Sequence, residues 1–547
     1  MKSTQPEVDL NPYAWAEVSR ILQHFAPGLE VWAFGSRAKW TAKAHSDLDL
    51  AVMTNEPLSL EKFASLKEAF DESVLPFRVD VVDWAATSDS FRKIIERDKV
   101  VVQSEIDTRL IHSGWNTISL EDSLEALIDY RGKTPQKTES GIPLVTAKVI
   151  KAGRIERPTE FIAPEDYDAW MRRGIPKEGD VVLTTEAPLG EVAQLGSDKV
   201  ALAQRVITLR GKPDLLDNTY LLYLLQSDEM QEQLRARATG TTVLGIKQSE
   251  LRKVTLRLPP ISFQRNAAGI LKALDDRITL LCGTNATLEA IAQALFKSWF
   301  VDFDPVRAKL EGRTPEGMDE ATAALFPDEF EESELGLVPK GWRLGALANL
   351  AEFQNGYAFK SKDWVDAGHP VVKIGDVKPG IIDFAGCSFV TPALTTGLDR
   401  FRLQRGDLLV GMTGYVGETG LVADVEPAAY LNQRVGRIAT ARGMHDSGFV
   451  YCLVRNTDFK AYAEAQSQGS AQANVSGSAL LNYGSILPTT DVYTKFNDLM
   501  HPILETILSN HEQAQTLATL RDTLLPRLIS GQLRLPEAEL QIQKAAI

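Results

Sequence analysis

The chain has 547 residues, 44% of them hydrophobic, with three scattered cysteines and a formal net charge of −14. It is too long for one core. It has no apolar run near the roughly 20 residues needed to span a bilayer, no basic-then-apolar leader and no cysteine pair at metal-ligand spacing. This composition points away from membrane, disulfide-framed and zinc-finger classes and toward a cytoplasmic chain of three or four domains. The acidity argues against nucleic acid as a partner, but it is uneven. Between Asp302 and Lys340 there are 11 acidic and four basic residues, a balance of −7, so a local basic face elsewhere stays allowed.

Residues 1–105 stand apart from everything that follows. Within "VWAFGSRAKWTAKAHSDLDLAV" an apolar strand runs into Gly35-Ser36, and "DLDL" begins eleven residues after the serine. On a strand, Asp47 and Asp49 share a face while Leu48 and Leu50 point to the core. Two carboxylates on one face repel unless a cation lies between them. "FRVDVVDWA" offers a further strand, with Asp80 opposite in facing to Val79 and Val81 and Asp83 as an alternative third acid. Three carboxylates from adjacent strands suit Mg²⁺-assisted phosphoryl transfer. A Gly-Ser turn opening a helix through "RAKWTAK" would offer N–H groups to a triphosphate. This arrangement resembles the minimal members of the polymerase-β nucleotidyltransferase superfamily. The resemblance implies an α/β domain that binds Mg²⁺ through Asp47, Asp49 and Asp80 and a nucleoside triphosphate through Gly35, Ser36 and Arg37. Trp40 departs from the pattern, since minimal members often have glycine there. A degenerate domain that keeps the fold and binds nothing is the competing reading.

The rest of the chain is written twice. Trp115 pairs with Trp342, "IPLVTAKVI" with "HPVVKIGDV", "GDVVLTTEAPLG" with "GDLLVGMTGYVG", "LAQRV" with "LNQRV", and "ATGTTVLGIKQSEL" with "SQGSAQANVSGSAL". The offset stays between 227 and 229, as expected of two copies of one unit. Each copy opens with short β-rich runs and Gly and Pro turns and closes with a long helix. A 4-3 spacing selects Leu274, Ile278, Leu281, Asn285, Leu288, Ala292, Leu295 and Trp299 in the first helix. In the second it selects Ile503, Ile507, Asn510, Ala514, Leu517, Arg521, Leu524 and Leu528. This is a coiled-coil seam, expected to be antiparallel, with Asn285 and Asn510 either inside it or facing water.

"SWFVDFDPV", "EGMDEATAALFPDEFEESELG", "DYRGKTP", "IPLVTAK", "GDVVLTTEAPLG" and "GIKQSELRKVTLRLPP" together resemble the specificity subunit of type I restriction-modification systems. The resemblance implies an α+β chain with two target-recognition domains separated by two long antiparallel helices. It further implies double-stranded DNA with a bipartite site, two methyltransferase subunits and restriction subunits as partners, a role in phage defence, and neither methyl transfer nor cleavage by the subunit itself. The expected divisions are 1–105, 110–260, the helix 261–301, the acidic linker 302–340, 341–492, the helix 493–537 and a tail to 547. Candidate DNA contacts are Thr184, Thr185, Gln204, Arg205, Lys247 and Gln248 in the first recognition domain. In the second they are Asn355, Tyr357, Thr413, Gln433 and Arg434. Arg suits guanine and Gln suits adenine. The repeated "QRV" leaves a structural alternative, in which Arg205 pairs with Asp180 and Arg434 with Asp407. A different reading of the whole chain also stands: a nucleotidyltransferase acting on a protein or RNA, with the repeats as its address.

Overall fold

The computed structural model describes residues 8–545, apart from 11, 27–28, 44–45, 55, 74, 104–113, 131–133, 241–242, 335 and 468–473. The expected boundary near residues 105–110 and the Arg-Gly-Lys of "DYRGKTP" lie outside the described residues. The chain divides into two compact units, Met1–Lys272 with Arg521–Ile547, and Ala273–Leu520. Among the described residues no helix is long and apolar enough to cross a membrane.

In the first unit, α1 (Pro12–Phe25), β1 (Glu30–Phe34), α2 (Gly35–Ala38), β2 (Leu48–Met53), α3 (Leu60–Asp71), β3 (Val79–Asp83), α4 (Asp89–Asp98) and β4 (Val100–Gln103) follow one another. They form one sheet in the order β3-β2-β1-β4. Alternation along the strands feeds two cores. Leu48, Leu50, Val79 and Val81 pack with Ile21 and Leu22 of α1 and Leu66 and Phe70 of α3. Trp32, Phe34 and Ala51 pack with Ile95 of α4 on the other side. The helix expected through "RAKWTAK" stops at Ala38. Trp40 follows in the left-handed region at φ 57°, a conformation that costs a bulky residue what glycine would not pay.

The repeat is visible in the topology. In the first copy β5 (Asn116–Ser119), β6 (Leu124–Asp129), β7 (Ile142–Val145), β8 (Val181–Thr185), β9 (Leu189–Gln194), β10 (Val206–Gly211), α5 (Asn218–Gln226), α6 (Asp228–Ala236) and β11 (Thr255–Leu258) lead into α7 (Ile261–Phe300). In the second copy β12 (Arg343–Ala346), β13 (Ala351–Asn355), β14 (His369–Val372), β15 (Leu408–Gly411), β16 (Thr419–Leu421), β17 (Val435–Thr440), α8 (Ser447–Val454), α9 (Thr457–Gln466) and β18 (Gly484–Leu487) lead into α10 (Thr490–Ile529). The first copy has the sheet order β9-β8-β10-β6, and the second has β16-β15-β17-β13 with one short strand added at Gly380–Ile381. In each copy the first and last strands close as an antiparallel pair, β5 with β11 and β12 with β18.

Each long helix has 40 residues, about 60 Å at 1.5 Å per residue. In the second unit they run antiparallel. Arg277 donates to Gln513 at 3.3 Å, Asn285 faces Asn510, and Phe296 faces Phe496 at 6.0 Å between ring centroids. The asparagines belong to the seam. The Asn510 amide donates to Asn285 Oδ1 at 2.9 Å, and the Asn285 amide donates to the Ile507 carbonyl at 2.8 Å. Ala292, Phe296, Trp299 and Phe300 of α7 and Val492, Phe496, Met500 and Leu504 of α10 are part of the core of the second repeat, with Leu408, Phe449 and Trp342.

The structure corrects the arginine pairing expected from "QRV". Asp180, 1% exposed, is clasped by Arg210 through two bonds of 2.7 Å, and Asp407 by Arg437 at 2.8 Å. Arg205 pairs instead with Glu186 at 2.9 Å, and Arg434 is exposed. The strand registers pair Val181 with Leu209 and Leu408 with Ile438. Arg210 and Arg437 therefore stand two residues apart in the frame, which on a strand is one step along the same face. The contact recurs although its arginine has moved.

Replacing Arg210 with Met should destabilise the protein by about 3 kcal/mol, because it leaves the Asp180 charge buried and unpaired. Arg210→Met combined with Asp180→Asn should cost clearly less. Denaturant unfolding of the parent, both single variants and the double variant checks this, and equal losses in Arg210→Met and the double variant would contradict it.

Candidate functional site

Two sites follow from the sequence, and the geometry treats them differently. In the front domain, β2 and β3 are parallel neighbours with Asp49 opposite Asp80. Leu48 and Leu50 are fully buried, Asp49 is half-buried, and Asp47 is exposed just before the strand. Burial, and after it the carboxylates of Asp80 and Asp47, hold the Asp49 carboxyl above its usual range. Asp80 lies 3.3 Å from the Arg78 guanidinium. Asp83 is not the third acid. It is 7% exposed, and its carboxylate accepts from the Thr54 hydroxyl and from the amides of Leu58 at 2.6 Å and Ala85 at 3.0 Å. That makes it a structural clamp between the ends of β2 and β3.

Gly35, at φ 75°, lies directly against Asp49: a Cβ there would collide with its Oδ2. The N-cap residue of α2, Phe34, offers no side-chain acceptor to the leading N–H groups, which a helix cannot satisfy internally. The Arg37 side chain turns inward, 6% exposed. Its guanidinium lies over Phe77, 3.9 Å from the ring centroid, and donates to the carbonyls of Ser46 and Asp9, each at 2.9 Å. It braces the loop that carries Asp47; its charge does not point to a nucleotide.

Among the described residues no three His, Cys, Asp or Glu side chains converge into a metal cage. Asp47, Asp49 and Asp80 nevertheless fit Mg²⁺. That ion is commonly held by one or two carboxylates, with the remaining positions taken by water and substrate phosphates.

In the repeats, two candidates fail as base contacts. Thr184 and Thr185 are buried, at 0% and 1% exposure. The Thr184 hydroxyl accepts from the Glu191 amide at 2.9 Å, and the Thr185 hydroxyl donates to the Arg205 carbonyl at 3.3 Å. Both complete the sheet. Tyr357 is engaged in an aromatic cluster, 4.9 Å from Phe359 and 5.5 Å from Phe401. Gln204 accepts from Thr134 at 3.2 Å. Lys247, Asn355, Gln433 and Arg434 are exposed, Gln248 and Thr413 partly so.

The sequence reading missed Glu186, Asn474 and Tyr415. Glu186 pairs with Arg205, Asn474 accepts from Thr413 at 2.8 Å, and Tyr415, 60% exposed, tops the hairpin between β15 and β16. The signal was present: inside a matched frame "TTEAPLG" and "GMTGYVG" diverge at Glu186 and Tyr415, and "ATGTTVLGIKQSEL" and "SQGSAQANVSGSAL" diverge at Asn474.

Residues 112–290 and 339–518 match the type I restriction modification DNA specificity domain, and residues 17–107 match the polymerase beta nucleotidyltransferase domain. The specificity subunit of type I restriction enzyme MjaIX from Methanocaldococcus jannaschii is 26% identical over 444 residues, 79% of this chain and 96% of that protein. The probable protein adenylyltransferase MntA of Haemophilus influenzae is 50% identical over 102 residues, 19% of this chain and 90% of that protein. A solved type I system S subunit from M. genitalium covers 76% of this chain and 96% of its own at 14% identity, with a TM-score of 0.47.

A carboxyl that titrates higher in the folded than in the unfolded chain makes the fold lose stability as pH rises through that range. Asp49→Asn removes this penalty. The metal-free variant should therefore melt above the parent at neutral pH. The gap should close as pH falls below the ordinary carboxylate range, where Asp49 is neutral in both states. Melting curves from about pH 3 to about pH 8 test this, and a gap that widens toward acid would refute it.

Proposed function

Since the chain belongs to the family of type I restriction-modification DNA specificity domains, carrying a nucleotidyltransferase domain in front, we propose that it reads a bipartite site on double-stranded DNA. On this reading it directs two methyltransferase subunits and the restriction subunits to that site in the cytoplasm. The observation that carries the reading is the duplication itself: two copies with one strand order, each ending in a 40-residue helix. Residues 110–260 and 341–492 are the two readers, and the helices are the ruler between half-sites. The acidity of the chain is tolerable because phosphate contact is non-specific and partners can supply it, whereas base-edge contact is what selects sequence.

Methylome sequencing of cells with and without the gene tests the reading. A methylated motif in two parts must appear with the gene and vanish without it. The ruler has its own test. The helices are antiparallel, so one heptad inserted after Leu281 must be matched by one after Gln513, which keeps Asn285 opposite Asn510. Each heptad adds about 10 Å. Both half-sites should persist with a gap longer by about three base pairs, at about 3.4 Å each. An active complex with an unchanged gap would sink the ruler.

The second activity belongs to the front domain. We infer Mg²⁺-dependent transfer of a nucleotidyl group, adenylyl being the group named in its Haemophilus relative. Asp47, Asp49 and Asp80 would hold the ion, which neutralises charge on the phosphates, while the Gly35-Ser36 turn holds phosphate oxygens. Asp47→Asn with Asp49→Asn should abolish transfer of labelled nucleotide, a loss of at least about a hundredfold from several kcal/mol of charge stabilisation. Methylation of the same motif should remain. A folded double variant that no longer methylates would mean the front domain takes part in DNA recognition.

A further inference from the structure

One place in the repeat keeps its backbone and changes its chemistry. The Thr185 amide donates to the Arg205 carbonyl at 2.9 Å, and the Ile246 amide donates to the Thr185 carbonyl at 3.0 Å. At the matching places the Met412 amide donates to the Arg434 carbonyl at 3.1 Å, and the Val475 amide to the Met412 carbonyl at 2.9 Å. These bonds set Glu186 beside Gly245 and Thr413 beside Asn474 as equivalent bridges. Three positions of the first copy, Glu186, Arg205 and Gly245, therefore correspond to Thr413, Arg434 and Asn474 of the second.

The groups they present differ. Glu186 and Arg205 form an ion pair at 2.9 Å with side chains 45% and 49% exposed. An exposed pair of this kind adds little to stability, and the buried Arg210–Asp180 clasp already joins the same two strands. The pair keeps a carboxylate acceptor for a cytosine amino group and guanidinium donors for guanine O6 and N7. In the second copy the acid is gone. The Thr413 hydroxyl donates to Asn474 Oδ1 at 2.8 Å, which orients the amide. Its NH₂ and the second lone pair of Oδ1 remain, the pattern that matches adenine N7 and N6.

We propose, on the reading of the chain as a DNA specificity subunit, that these positions determine where its half-sites differ. Glu186 with Arg205 reads a G·C pair in the half-site of the first copy, and Asn474 reads an A·T pair in that of the second. Glu186→Thr with Gly245→Asn installs the second copy's groups in the first; the atoms nearest a Cβ added at Gly245 belong to Glu186, itself replaced, and to the Thr185 carbonyl, none nearer than 3.3 Å.

The test is methylome sequencing of cells expressing the parent, this double variant or Asn474→Ala, together with binding of the purified complexes to duplexes carrying each base pair at every half-site position. In the double variant one G·C position of one half-site should relax or become A·T, and the other half-site and the gap should stay. Discrimination at that position should fall about ten- to a hundredfold, from the worth of one bidentate base contact. Asn474→Ala should relax one A·T position in the opposite half-site. Among the described residues its side chain is held by the Thr413 bond, so this variant tests the assignment even where the double variant fails to melt cooperatively. Unchanged half-sites in a folded variant, or relaxation at a base pair of the other kind, would overturn the assignment while the specificity-subunit reading stands. A parent that yields no bipartite motif would overturn that reading itself.

Discussion

Phe296, Trp299 and Phe300, little more than one turn of α7, interlock with Phe449 and Phe496 at centroid distances of 4.8–6.0 Å. Edge-on aromatic pairs each add about 0.5–1.5 kcal/mol beyond the burial of their surfaces. The consequence is mechanical. The end of one long helix and the start of the other are core residues of the second repeat, so that repeat cannot tilt on the helices without breaking its own interior. The Arg455–Glu289 ion pair and the Arg405 bonds to Glu505 at 2.6 Å and Glu512 at 2.8 Å tie the same repeat to the helices from its surface. On the proposed reading the helices act as a ruler, which is useful only if its reader is fixed to it, and packing supplies that fixing.

The paired asparagines have a different role. Two half-buried amides in a seam cost stability relative to leucine, but each finds its partner in only one alignment, so they select register. That alignment brings Asn285 opposite Asn510, and any slide by a turn would leave both amides without partners in an apolar seam.

The front domain accepts an opposite compromise. Burial, and after it the carboxylates of Asp80 and Asp47, make the Asp49 charge costly, and glycine at position 35 lets its carboxylate pack against the backbone. Strain of this kind is expected where a cation and phosphates complete the site. Asp83, three residues from Asp80 on the same strand, shows the contrast. It faces the other way and has every partner a buried carboxylate needs.

How much of this was legible follows from the kind of information each feature requires. The duplication, the 4-3 seam and the alternating aspartates are periodic, and a period is a property of the chain alone. Hence Leu48 and Leu50 stand where their spacing places them, while Asn285 and Asn510, left open between seam and water by the sequence, are placed in the seam by their mutual hydrogen bond. The side-chain pairings were not legible. Asp180 chose Arg210 over Arg205 because strand pleating puts alternate residues on opposite faces, and the register between β8 and β10, set by tertiary packing, decides which arginine arrives. Arg37 looked like a phosphate ligand because it follows a Gly-Ser turn. The turn of the chain after Ala38 sends it under the loop instead, where two carbonyls and the Phe77 ring satisfy it. Thr413 and Asn474 lie 61 residues apart in sequence and meet only when the second copy has folded, as Glu186 and Gly245 do in the first. A chain determines by itself what repeats and what alternates. Which polar groups meet depends on strands and loops brought together from far along it, and only the folded structure decides that.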